Sequence, residues 1–217
     1  MLRPVPVVGG CYADDTKPYS SQDAVNWIPE RAEVAGGRSA ERLLQAPGLN
    51  SFCTASDGAV RGLRNVEGGL YAVIGETLYS VATDGTETAL GTVPGTGRVS
   101  MTHNQITGGN EIVIVNGSQG FVYNTATALF EQITDDAFEG SIVTGYLNQY
   151  VLHIETARRY WFHSDLAAAK QYISLDRYEG ESNPDRMVSM LVDHAEVWVF
   201  SERSIDVFVN SVSESAA

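Results

Sequence analysis

Lysine is nearly missing from this sequence, at Lys17 and Lys170 only, and the arginines are scattered, so that 14 basic side chains face 27 acidic ones in 217 residues. Without a basic patch nothing is present to neutralise a run of phosphates, and sequence-specific nucleic-acid binding is not expected. Cysteine is equally scarce. Cys11 and Cys53 cannot make a disulfide framework, and neither lies in a Cys-x-x-Cys pair or beside a metal-spaced histidine. Long apolar runs are missing too: no stretch nears the roughly 20 residues that cross a bilayer. The start Met1-Leu2-Arg3-Pro4 lacks the apolar core of a signal peptide. These absences predict a soluble, non-exported protein without membrane insertion.

The 43% hydrophobic content is close to the globular norm and speaks against disorder throughout. Charge is distributed unevenly. Residues 1–50 carry 5 basic and 6 acidic side chains, whereas residues 51–217 carry 9 and 21. The first part holds most of the prolines, together with the breaks Gly9-Gly10, Gly36-Gly37 and Pro47-Gly48. Residues 1–55 therefore read as an extended arm with short strands around Ala24 to Ile28 and Glu41 to Gln45.

Residues 56–217 read as strands. From Ala59 onward, apolar runs of four to seven residues rich in Val, Ile, Tyr and Phe alternate with Gly, Asn, Asp and Ser turns. Asp84-Gly85 and Asn116-Gly117 stand between such runs as hairpin signals. The runs group into sets starting at Ala59, Arg98, Ser141 and Met187, separated by 39, 43 and 46 residues. That period matches the roughly 40–50 residues of a four-stranded propeller blade. The expected fold is all-β, a β-propeller-like array of four-stranded antiparallel blades. A meander or β-sandwich with similar turn spacing is the competing topology. The one helical candidate is Asp165-Leu166-Ala167-Ala168-Ala169-Lys170, a turn or two capped by Asp165.

Chemistry-bearing constellations are missing as well. In the third set His153 is expected opposite a residue near Tyr160 rather than His163, so these imidazoles do not share a metal, and His103 and His194 read likewise as structural or surface residues. Asp135-Asp136-Ala137-Phe138-Glu139 lacks the alternating ligands of a calcium loop and reads as a solvated connection between blades. Gly95-Thr96-Gly97 lacks the third glycine and following helix of a dinucleotide fingerprint and reads as a turn before a strand. No Gly-x-Ser-x-Gly elbow or Cys/His nucleophile is present, and nothing singles out a pair among the 27 acids. No catalytic, cofactor-binding or metal-binding residue is assigned. Tyr79, Tyr123, Tyr160-Trp161-Phe162 and Phe208 recur in the third strand of successive sets, which predicts packing between blades rather than ligand stacking.

Specific segments carry a family resemblance. Tyr172-Ile173-Ser174-Leu175, then Glu181-Ser182-Asn183-Pro184-Asp185-Arg186-Met187-Val188, Glu196-Val197-Trp198-Val199-Phe200 and Ser204-Ile205-Asp206-Val207-Phe208-Val209-Asn210 occur in that order. Gly95 to His103, Asn26-Trp27-Ile28-Pro29 and Pro47-Gly48-Leu49 precede them. The pattern resembles the tail hub, or packaged DNA stabilisation, proteins of short-tailed bacteriophages. The resemblance implies a structural virion protein of the tail, assembled in the host cytoplasm, and not an enzyme. It implies a homo-oligomer, a hexameric ring, below the portal and its adaptor ring, holding a tail needle or distal tail proteins and retaining packaged DNA. It also implies a turn-shaping role for Pro184 and a capping role for Asp185 ahead of the fourth set.

Two further expectations concern closure and charge. Ala59 to Asn210 spans 152 residues, about three and a half blades at this repeat, against the four to eight of a closed propeller. The resemblance implies further blades after Asn210, where Ser211 to Ala217 is polar. The expectation is an incomplete propeller, a fragment or shortened hub completed by its arm or by neighbouring subunits. The excess of acids would suit a channel that repels phosphates and lets DNA slide. The reading from a different class is a propeller enzyme or carbohydrate-binding module acting on host surface polysaccharide, which would need convergent acids and exposed aromatics at one channel end.

Overall fold

Strands form wherever the β-branched and aromatic runs occur, and they end where a backbone turns left-handed. In the computed structural model, residues 25–31, 41–55, 58–104, 110–180 and 185–209 are described. The chain divides into two compact units, Met1–Ser51 and Phe52–Ala217.

The described part of the first unit is one antiparallel hairpin, β1 (Trp27–Arg31) and β2 (Glu41–Gln45), with Trp27 opposite Gln45. The second strand lies where the sequence puts it. The first begins three residues later than expected, because Asn26 adopts φ 60° and breaks the extended run ahead of Trp27. Val25, Trp27, Ile28 and Leu44 are exposed, and the ion pair Glu30–Arg42 spans the two strands.

The second unit is a series of antiparallel meanders, and its described residues include no helix. The first sheet is β3 (Val60–Val66), β4 (Gly69–Ile74), β5 (Thr77–Val81) and β6 (Glu87–Thr92). The second is β7 (Ser100–His103), β8 (Glu111–Val115), β9 (Gly120–Asn124) and β10 (Leu129–Gln132). The third is β11 (Ser141–Leu147), β12 (Tyr150–Glu155), β13 (Tyr160–Asp165) and β14 (Ala168–Glu179). The fourth has three described strands, β15 (Met187–Asp193), β16 (Glu196–Ser201) and β17 (Ile205–Val209). The first strands of consecutive sheets run side by side, β3 by β7, β7 by β11 and β11 by β15. This is the inside-to-outside strand order of propeller blades, and the sheets do not close into a full ring.

Each blade interface has its own core, as expected when both faces of a sheet are covered by neighbours. Val73, Leu78, Ile112, Ile114 and Phe121 join the first blade to the second. Val113, Val115, Val151, Phe162 and Tyr172 join the second to the third. Leu152, Ile154, Trp161, Val197 and Val199 join the third to the fourth. The outer strands fit closely: a Cβ on Gly91 of β6 would lie 2.3 Å from the ring of Phe130 on β10, which stacks on Phe121 at 5.5 Å.

The turns bear out the punctuation in the sequence. Gly85 takes φ 86° and the Asp84 carboxylate accepts the Thr86 amide at 2.9 Å. Gly117 takes φ 104° while the Asn116 side-chain oxygen accepts the amides of Ser118 and Gln119. Asp185 accepts from the Arg203 amide and from the Ser204 hydroxyl, so it caps the β16–β17 turn, eighteen residues further along the chain. Pro184 lies outside the described residues.

The helical candidate is overturned. Asp165 ends β13, Leu166 and Ala167 form a two-residue turn with Ala167 at φ 55°, and Ala168 starts β14, opposite Asp165. A six-residue segment has too few hydrogen bonds to repay helix nucleation, whereas the hairpin buries Ala169 and Tyr172 between blades. The strand expected at Tyr172 to Leu175 is longer, and its pairing slips between Tyr172 opposite Ser164 and Arg177 opposite Phe162.

Candidate functional site

The four histidines are dispersed. His153 pairs with Phe162, two residues from the position expected near Tyr160, and His163 pairs with Leu152. Adjacent positions on a strand face opposite ways, so the two imidazoles lie on opposite sides of the sheet. His194 is exposed at the β15–β16 turn beside Asp193, whose hydrogen bond and charge raise its pKa. Among the described residues no three His, Cys, Asp or Glu side chains gather as a metal site.

His153 is fully buried in an aromatic box of Phe138, Phe162 and Tyr172, with ring centroids 5.1–5.6 Å away. The Tyr172 hydroxyl donates to the Ala169 carbonyl at 2.9 Å and so accepts from His153 Nε2–H at 3.0 Å. Burial pushes His153 down to about 3 and the Tyr172 phenol well above its usual value. Both stay neutral near pH 7, which suits packing and not acid–base work.

The Asp135–Glu139 segment corrects the picture of a merely solvated connection. Asp135 accepts the amides of Ala137 and Tyr172. Phe138 turns inward to form the lid of the aromatic box. Glu139 pairs with Arg177 and accepts from the Tyr160 hydroxyl, and these two partners hold its carboxyl below the usual range.

The recurrent aromatics split in their roles. Trp161 meets Phe208 at 5.1 Å and Tyr71 meets Tyr123 at 6.1 Å, both across blade interfaces. Tyr79 instead packs in a cluster with Leu70, Cys53 and Ala55 on the other face of the first blade. A second aromatic group, Tyr150, Trp161, His163, Tyr178 and Phe208, lines a 320 Å³ cavity beside Val209 at the end of β17. Trp161 and Tyr178 stack on each other at 4.4 Å, so their faces are already covered.

A second cavity of 320 Å³ lies where the first strands of all four sheets converge. Arg64 of β3, Thr102 and His103 of β7, Thr144 and Tyr146 of β11 and Met190 of β15 line it. This is the position of a propeller's central channel. No aspartate or glutamate is among its lining residues. The channel expected to repel DNA phosphates lies at the centre of a ring of subunits and is a separate place from this cavity. Inward positions of the first strands must fit between converging backbones, and the acids fall on turns and outer strands such as Asp84, Glu131 and Glu139.

Two arginines went unnoticed in the sequence. Arg61 is 7% exposed and donates to the carbonyls of Gly97 (2.7 Å), Gly75 (2.8 Å), Val93 (2.7 Å) and Pro94 (3.1 Å). It fastens the first blade to the connection into the second. Arg64 directs Nε and Nη2 at His103 Nδ1, each at 3.3 Å. The signal for both was two charges, Arg61 and Arg64, in an otherwise apolar run.

The blades and the interface cores define a β-propeller fold. The family model for phage stabilisation proteins, described as Bacteriophage P22 Gp10, beta-propeller, matches residues 3–217, and the chain belongs to that family. It is a phage structural protein and a virion component that assembles with other virion proteins. No curated protein matches the sequence. Among solved structures, the computationally designed Ika8 protein is similar at TM-score 0.51 and 11% identity over 87% of this chain, which spans 57% of Ika8. The computationally designed Ika4 protein aligns at TM-score 0.49 and 10% identity over 75% of this chain and 99% of its own. At such identity the likeness to Ika8 concerns the fold alone.

Proposed function

We propose that the protein is a tail hub or plug that joins the portal–adaptor complex to distal tail parts and retains packaged DNA. The family match over residues 3–217 carries this reading. The fourth sheet supports it: Val188, Leu191, Ile205, Val207 and Val209 are 45–66% exposed, an apolar surface of the kind that assembly covers. The role is mechanical and not enzymatic. Subunits form a ring, hexameric by resemblance, in the virion tail after assembly in the host cytoplasm. Strong negative charge keeps such a ring from gripping the DNA it contains, since like charges repel phosphates instead of releasing their counterions.

The test is native mass measurement and particle imaging of the protein alone and mixed with portal–adaptor complexes from the same phage. Rings, or added density beneath the adaptor, are the expected result. A monomer that leaves the portal–adaptor particle unchanged, or purified protein that hydrolyses host surface polysaccharide, overturns the proposal.

A further inference from the structure

We propose that the central cavity at the meeting of β3, β7, β11 and β15 binds a small oxyanion, held by the Arg64 guanidinium together with the His103 ring.

Arg64 stands in this cavity without a carboxylate among the lining residues. Arg42, Lys170 and Arg177 each pair with a glutamate. Arg64 has no carboxylate partner among the described residues and faces an imidazole instead. Two of its N–H groups converge on a single lone pair, that of His103 Nδ1, at 3.3 Å each. A guanidinium carries five N–H donors, so the fork retains hydrogen-bonding capacity beyond this contact.

His103 is a donor too. Because Nδ1 of His103 accepts, the ring proton sits on Nε2, which is a second donor. Burial and then the Arg64 charge hold His103 below its usual value, and the Glu67 charge opposes them weakly, so the ring is neutral and the cluster has one positive charge. Thr102 and Thr144 border the cavity but are nearly buried, and the Thr144 hydroxyl is sealed from it.

A wall with one guanidinium and an imidazole N–H but no carboxylate among its lining residues complements an oxyanion and repels cations. At 320 Å³ the cavity takes a phosphate-sized or carboxylate-sized group. It has no room for a DNA duplex, whose major groove alone is about 12 Å wide. The net charge of −13 acts mainly over distances screened within about 8 Å at physiological salt, so the local cluster decides.

The test uses the full chain. Inorganic phosphate and, separately, acetate are titrated against chloride at matched ionic strength, with calorimetry as one readout and the His103 ring-proton resonances as a reporter inside the cavity. Saturable binding of either ion with a shifted His103 signal is expected, and the better ion tells a phosphate-type from a carboxylate-type ligand. Arg64→Gln should weaken binding at least about tenfold, with far-ultraviolet circular dichroism confirming a folded variant. If neither ion moves the His103 signal in the unmodified protein, the proposal is wrong whatever the variant does. Binding that persists unchanged in folded Arg64→Gln also overturns it.

Discussion

Replacing Arg61 with methionine keeps the length and apolar stem of the side chain and removes only the guanidinium. Four backbone carbonyls then lose their donor: Val93, whose bond is fully buried, and Gly75, Pro94 and Gly97, which are partly buried. A buried carbonyl left unpaired costs about 1–3 kcal/mol, and hydrogen bonds to a charged donor are worth about 1.5–3 kcal/mol each before solvent returns. Water can reach the three partly buried oxygens, and the variant no longer desolvates a cation, which restores part of the loss. The net destabilisation expected is about 2–4 kcal/mol, a large share of the roughly 5–15 kcal/mol that holds a domain together. Urea unfolding followed by fluorescence of Trp161 and Trp198 is the assay. With a slope of about 2 kcal/mol per molar, the midpoint should fall by about 1–2 M. Arg61→Lys, with a point charge and three donors, should fall between the two proteins. A midpoint within about 0.3 M of the unmodified protein would refute the claim that Arg61 joins the first two blades.

The aromatic box and the blade contacts make further predictions. Phe138→Ala should destabilise by about 3 kcal/mol, because it opens the box over His153, and calorimetric melting measures it. Gly91→Ala should cost about 1–3 kcal/mol by forcing apart β6 and the Phe130 ring, read in the same experiment; an unchanged melting temperature would mean that the two outer strands do not touch. His153 titrates at about 3 when folded against about 6.5 when unfolded, so between these values the unfolded chain holds the extra proton. Its contribution is complete above about pH 6.5 and is lost as pH falls, by up to about 1.4 kcal/mol per pH unit. Urea midpoints between about pH 6 and pH 5 should therefore slope more steeply in the unmodified protein than in His153→Gln.

The blade pattern was legible because it is local chemistry. Apolar runs ended by Asp84-Gly85 or Asn116-Gly117 determine where strands stop, and starts at Ser141 and Met187 coincide with β11 and β15. The Asp165–Lys170 segment misled because three alanines favour a helix in isolation, while the cost of Ala167 at φ 55° is repaid only by the packing of Ala169 and Tyr172 in the blade interface. Phe138 was hidden among acids that dominate the reading of its loop. For Tyr79, the strand position was right and the partner was not, since its ring packs on Leu70, Cys53 and Ala55, residues that no local pattern links to it.

Composition and turn chemistry alone thus determined an all-β chain of repeated meanders, without a basic patch, a disulfide framework or a catalytic motif. Those properties depend on side-chain type and on neighbours a few positions apart. The central cavity was decided by tertiary structure. Its walls come from Arg64, His103, Thr144 and Met190, positions about forty residues apart that meet only when four first strands converge. Whether a charge there is paired, buried or free depends on that convergence. For this reason an acidic chain can enclose a cavity whose only formal charge is positive.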